Sequence, residues 1–236
     1  MGGPRADGEG RVAMERLGSV ARGGGVRGRQ AAGTRELIMV TAERLFAEHG
    51  IAAVSSRQIS EAAGQGNNAA VGYHFGTKID LIRAIVRRHA QQIGRRQLEM
   101  AERVGPDAAP RDWVECYVRP LTEHLAELGS PSWYARFVLQ VSIDPVLREI
   151  FADEARTAPG ILRITKGLRP SLTALPREVR EQRQQMIHHL ICHTCAERER
   201  TLAAADRPAP GDWDRVARLL VDATCGLLLA PVSLGR

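Results

Sequence analysis

Aromatic side chains are scarce in this sequence, at 4% of 236 residues. No stretch alternates β-branched and polar residues for long enough to suggest a strand. Sheet architectures therefore lack their raw material, and the abundance of Ala, Leu, Arg and Glu points to an all-α fold. Cysteine is sparse as well: Cys116, Cys192, Cys195 and Cys225 are the four present, mostly within apolar helical patterns. That usage speaks against a disulfide framework and fits a reducing, cytoplasmic setting. Long apolar runs are missing. The most apolar segment, 219–234, is interrupted by Asp222 and Pro231 and is short for a membrane span. The N-terminus has no apolar core of a signal peptide, so no membrane partner is expected. Negative charge is in deficit: 33 Lys and Arg against 27 Asp and Glu leave a formal charge of +6, which favours an acidic partner such as nucleic acid. No nucleophile elbow, phosphate-binding Gly loop or HExxH is present. Neither an enzyme nor a resident cofactor is expected.

What is there begins with residues 34–89. Ile38, Ala42, Leu45 and Phe46 form one apolar stripe of an amphipathic helix, and Gly50 suits its C′ stop. Ser55 suits the N-cap of a second helix buried through Ile59, Ala62 and Ala63. After the break at Gly64, a third helix of about two turns carries Asn67 to His74. Val71 and Phe75 anchor its buried side, while Asn67, Asn68, Ala69, Gly72, Tyr73 and His74 are small or hydrogen-bonding and none is acidic. Two short helices joined by a Gly-containing turn on a longer first helix make a helix-turn-helix. Small residues with donors are what a helix entering a major groove needs.

Residues 34–89 resemble the TetR family of one-component transcriptional repressors, through RELIMVTAERLFAEHG, SSRQISEAAG and above all YHFGTKIDL. Between Gly64 and Phe75 the chain has one residue more than the family's commoner spacing, and Gly72 stands where a Tyr is frequent, with Tyr73 beside it. The resemblance implies a small DNA-binding unit on a larger helical unit that binds a ligand and dimerises. It further implies phosphate contacts at positions such as Tyr73, His74 and Lys78, the last in a first helical turn where backbone N–H groups already favour anions. Arg57 is a further DNA-contacting candidate, or else a solvated surface charge.

The domain expectation is a disordered basic Gly/Arg-rich arm at 1–33, a DNA-binding domain at 34–80 and a ligand-binding and dimerisation domain at 81–236. The arm is either a phosphate-following or minor-groove segment or, in the plainer reading, a solvated tail or an over-called start with the true one at Met14. Thr77 and Asp80 form a capping box opening a long helix to about Val104. Further helices are expected from Asp112 (kinked at Pro120), from Ser130-Pro131, from Asp144-Pro145 to about Gly167, from Glu178 to about Arg200 and from Asp212, roughly nine in all.

Trp113, Tyr117, Trp133, Tyr134, Phe137 and Phe151 fall at helical spacings that are usually core, yet the family implies an effector pocket in the bundle, which some of them should line. Leu190, Ile191, Leu219, Ala223 and Leu227 exceed what one bundle face requires, and are assigned to a two-fold dimer interface. His188, His189, His193, Cys192 and Cys195 cluster on one helix, where i, i+4 spacing can hold a metal. A packed helix is preferred for them and no metal is assigned. The expectation is thus a homodimeric repressor of a pseudo-palindromic double-stranded operator, released by a small, mostly hydrophobic effector. The alternative is a metal- or redox-responsive regulator using the cluster at 188–195.

Overall fold

The computed structural model describes residues 9–67, 69–204 and 213–232, with side chains described from Arg29 onward. Among these residues there are ten α-helices, one short 3-10 turn and no strand, and no helix is long and apolar enough to cross a membrane. α1 (Glu9–His49) is followed by the short pair α2 (Ser56–Ala62) and α3 (Ala70–Phe75), then by the long α4 (Lys78–Arg103). α1 reaches back through much of the segment expected to be a disordered arm. The helical backbone begins at Glu9 rather than near Thr34.

The remaining elements are α5 (Pro110–Leu128), α6 (Tyr134–Ile143), α7 (Glu149–Thr157), α8 (Pro159–Leu168), α9 (Arg177–Ala203) and α10 (Trp213–Leu229). The single helix expected between Asp144 and Gly167 is divided in two. Pro159 lacks an N–H and disfavours the helical conformation at the residue before it, and Ala158 is accordingly extended, with φ −73° and ψ 113°. Asp144 does not open a helix but accepts from the amides of Val146 and Leu147 in a turn.

α6 also starts later than the Ser130-Pro131 signal suggests. Its N-cap position is Trp133, which offers no capping oxygen. The cap comes from another helix: the buried Glu199 carboxylate of α9 accepts from the amides of Ala135 (3.1 Å) and Arg136 (3.0 Å), from the Ser132 hydroxyl (2.9 Å) and from Arg136 Nε (3.1 Å). A carboxylate at this end of a helix satisfies otherwise orphaned N–H groups and faces the positive end of its dipole.

α6 in turn supports α1. Ile38, Ala42 and Phe46 are fully buried with Leu81, Ile82 and Ile85 of α4, and the Phe46 ring stacks on Phe137 of α6 at 6.1 Å between centroids. One buried cluster therefore continues across residue 80, where a domain boundary was expected, because α4 belongs to both sides. A polar chain crosses the same place: Glu43 of α1 lies 2.8 Å from His89 Nε2, and His89 Nδ1 lies 2.7 Å from His124 Nε2 of α5. Burial, and then the neighbouring His89, hold the His124 pKa down at about 4.

Two glycines let α8 close on the bundle. A Cβ at Gly160 would sit 2.8 Å from the Leu98 amide nitrogen and 2.9 Å from Gln97 Cβ, and one at Gly167 would collide with the Trp113 indole. Trp113 is thus a lid over Gly167, beside the small cluster of Ala101, Cys116 and Ile164.

Candidate functional site

The exposed face of the first three helices is assembled by local capping. Ser55 and Gln58 form a reciprocal capping box that starts α2. Ser60, fully buried, holds α3 against α2 by accepting from the Val71 amide at 3.4 Å. Asn67 stands before α3 rather than within it: its Oδ1 accepts from the Ala69 amide at 2.9 Å, so the helix begins at Ala70, three residues later than the sequence suggested. Asn68 lies outside the described residues. Val71 and Ala70 face inward, while Ala69, Gly72 and Tyr73 face out, Tyr73 being 82% exposed. Nothing lies within 4 Å of where a Gly72 Cβ would be, which leaves the middle of α3 open to close approach.

The end of α3 is fixed from α1. Arg35 donates to the His74 carbonyl at 2.7 Å and lies 4.1 Å above the Phe75 ring. Gly76, with φ +86°, makes the reversal that a side chain would oppose, and the Thr77–Asp80 capping box starts α4 as expected. The hydrogen bond from Thr77 holds the Asp80 carboxyl below its ordinary range. Arg57 is exposed on α2 and paired with Glu61 at 2.8 Å, a surface pair that solvent screens and a phosphate could replace.

Lys78, the expected phosphate contact, turns back into the unit. Its ammonium donates to the carbonyls of Ile51 (2.5 Å) and Val54 (2.7 Å) in the loop between α1 and α2, and partial burial lowers its pKa. Two of its three donors are committed inside the unit, as a clasp on that loop. No sequence rule distinguishes this lysine from an outward one, because the carbonyls it meets are 24 and 27 residues away.

Residues 38–85, which span these helices, match the model of the bacterial regulatory proteins of the tetR family. Over that stretch the chain is similar to the tetR family of regulators. No curated protein matches it. Among solved structures it is similar to a TetR family transcription regulator from Marinobacter aquaeolei VT8, at 18% identity and a TM-score of 0.57, over 85% of this chain and 97% of that one. A bacterial regulatory protein in the tetR family from Rhodococcus RHA1 gives 18% identity and 0.53, over 83% and 96%. At such identities the likeness speaks for the fold.

Behind its first three helices the chain has an open-sided cavity of about 850 Å³ between α4, α5, α6, α7, α8 and α9. Of the six aromatic residues proposed for a pocket, Tyr117, Tyr134 and Phe151 line it. Trp113 covers Gly167, Trp133 sits half-buried at the start of α6, and Phe137 is fully buried against Phe46. These three have packing roles, since the helical stripe that carries them turns them toward other helices. His188 and Cys192 also face the cavity, 3.6 Å apart, and so does Ser142. His193 faces outward, as does His189, which reaches only the cavity's rim. The cluster is therefore split between two faces of α9, and among the described residues no group of three or more His, Cys, Asp or Glu could hold a metal ion. The four cysteines are free thiols.

On the far side, Leu219 and Ala223 of α10 are exposed and Leu190 and Leu227 are half-buried. Ile191 is the exception among the proposed interface residues. It shares the inward face of Ile187 and Cys195, is only 5% exposed, and lines the cavity.

Proposed function

We propose that this regulator is a homodimeric repressor of a pseudo-palindromic operator, acting in the cytoplasm and released by a small, mostly hydrophobic effector bound in the cavity behind α4. The observation that carries this reading is the double duty of α4. Its first turn follows the turn after α3, and its middle, through Ile93, Gly94 and Gln97, is a wall of the cavity. A ligand that favours one tilt of α4 changes the spacing of two recognition helices in a dimer, and each tenfold loss of operator affinity needs about 1.4 kcal/mol of differential binding.

On DNA, Ala69, Gly72 and Tyr73 offer the approach surface, with Asn67 at its leading end, and Arg57 and His74 meet the backbone. Lys78 positions the α1–α2 loop. With an operator selected from random duplexes, Arg57→Ala is expected to reduce the slope of log affinity against log salt by about 0.9, the loss of one phosphate contact. Lys78→Ala is expected to weaken binding by loosening the unit, with a lower melting temperature and an unchanged slope. A reduced slope for Lys78→Ala would return its ammonium to a phosphate.

The dimer is formed by the exposed face of α10 with the outward residues of α9, in a four-helix arrangement. Ala223→Arg is expected to give monomers in sedimentation and to weaken operator binding at least tenfold, because half-sites a helical turn apart are read together only by a dimer. A stable dimer carrying that substitution would move the interface elsewhere.

A further inference from the structure

The cavity's inner end differs from a plain apolar hollow. Tyr134 is only 3% exposed, its ring is stacked on His89 at 3.8 Å, and it lines the cavity together with Tyr117 of α5. Among the described residues neither phenol hydroxyl has a protein hydrogen-bond partner, and neither oxygen is fully buried, so both donors are open to a ligand in the cavity. Cys192, near both rings, and His188 complete this end. None of the four brings charge. Burial pushes the Tyr117 phenol and the Cys192 thiol up to about 12 and lowers the His188 pKa, so at neutral pH all are uncharged.

The charges that border the cavity lie at its rim and are largely paired: Arg148 with Glu149, Glu154 with Arg87, and Glu181 with Arg177. Arg95 is exposed there. A carboxylate or phosphate reaching the inner end would lose its hydration without meeting a cation. A neutral oxygen acceptor would instead satisfy the two idle phenol donors, while its apolar body covers Ile93, Leu121 and Val138.

Building on the effector-pocket reading above, we propose that the cavity selects an uncharged, mostly apolar molecule whose carbonyl-type oxygen accepts from the hydroxyls of Tyr117 and Tyr134. The phenol is the better donor than acceptor, because its oxygen lone pair is drawn into the ring. That asymmetry is why an acceptor is specified.

The test uses full-length protein, methyl decanoate as the neutral probe, and decanoate at a pH of about 8, where its carboxyl is ionised. Binding is followed by calorimetry and by melting temperature, and operator affinity is measured in parallel. Methyl decanoate is expected to bind, and decanoate to bind at least tenfold more weakly. The double variant Tyr117→Phe, Tyr134→Phe keeps both rings. It is expected to lose about tenfold in ester affinity, equivalent to ~1.4 kcal/mol, while melting no lower than the parent when unliganded. Absence of ester binding, equal affinity for decanoate, or undiminished ester binding by the double variant would each overturn the proposal. Ester that binds as expected yet leaves operator affinity unchanged would refute the effector reading while leaving the ligand chemistry in place.

Discussion

Glu199→Ala is expected to lower the stability of the folded chain by about 3–5 kcal/mol, the range for removing one partner of a buried pair. The carboxylate is 1% exposed and receives four donors. Its loss would strand the Ala135 and Arg136 amides at the start of α6 and leave the Arg136 guanidinium, only 14% exposed, without its anion. Because α6 carries both Tyr134 on the cavity and Phe137 against α1, cavity and DNA-reading unit should loosen together. Glu199→Gln keeps one acceptor but turns an NH₂ group toward donors, and should fall between the two. Chemical denaturation of the three proteins, with operator binding measured on each, checks the prediction. A melting temperature for Glu199→Ala within a degree or two of the parent would mean that solvent can cap α6 as well as Glu199 does.

Phe137→Ala is expected to be comparably severe, at about 3–5 kcal/mol, for a different reason: it opens a cavity in a site with no solvent access. Phe137 and Phe46 are both fully buried and stacked, and they join the bundle to α1. The expected signature is a fall in operator affinity that follows the folded fraction, with affinity for a cavity ligand preserved at temperatures where the protein remains folded. A variant of undiminished stability whose response to ligand alone is impaired would contradict this and place Phe137 in the cavity after all. Trp133→Ala, by contrast, removes a half-buried residue at the start of α6 and should cost less.

Acid should act on the buried histidine pair. With the His124 pKa held at about 4 in the folded chain against about 6.5 when unfolded, the unfolded chain binds more protons between those values. Stability from this group is therefore complete above about 6.5 and is lost as pH falls toward 4. Glu43, His89 and Tyr134 surround that exchange, and it lies where α1, α4, α5 and α6 meet.

The sequence by itself determined the local elements and the likeness of residues 38–85 to the tetR family. Stripes such as Ile38, Ala42 and Phe46, the capping boxes at Ser55 and Thr77, and the stops at Gly50 and Gly64 depend on residues within a few positions of one another, so their spacing is the structure. YHFGTKIDL carried that likeness for the same reason: it encodes a helix end, a glycine reversal and a helix start in one run. The tertiary structure alone decided what lies across from each side chain. A 3.6-residue period says that Trp113, Tyr117, Tyr134 and Phe137 face inward but not which of them meets a cavity and which meets Gly167 or Phe46. Lys78 on the α1–α2 loop, Glu199 as the cap of α6, and Glu43 against His89 join residues 24 to 64 positions apart. Pairing at that range is set by how helices cross, because a side chain's partner is chosen by packing in space, and no pattern along the chain records it.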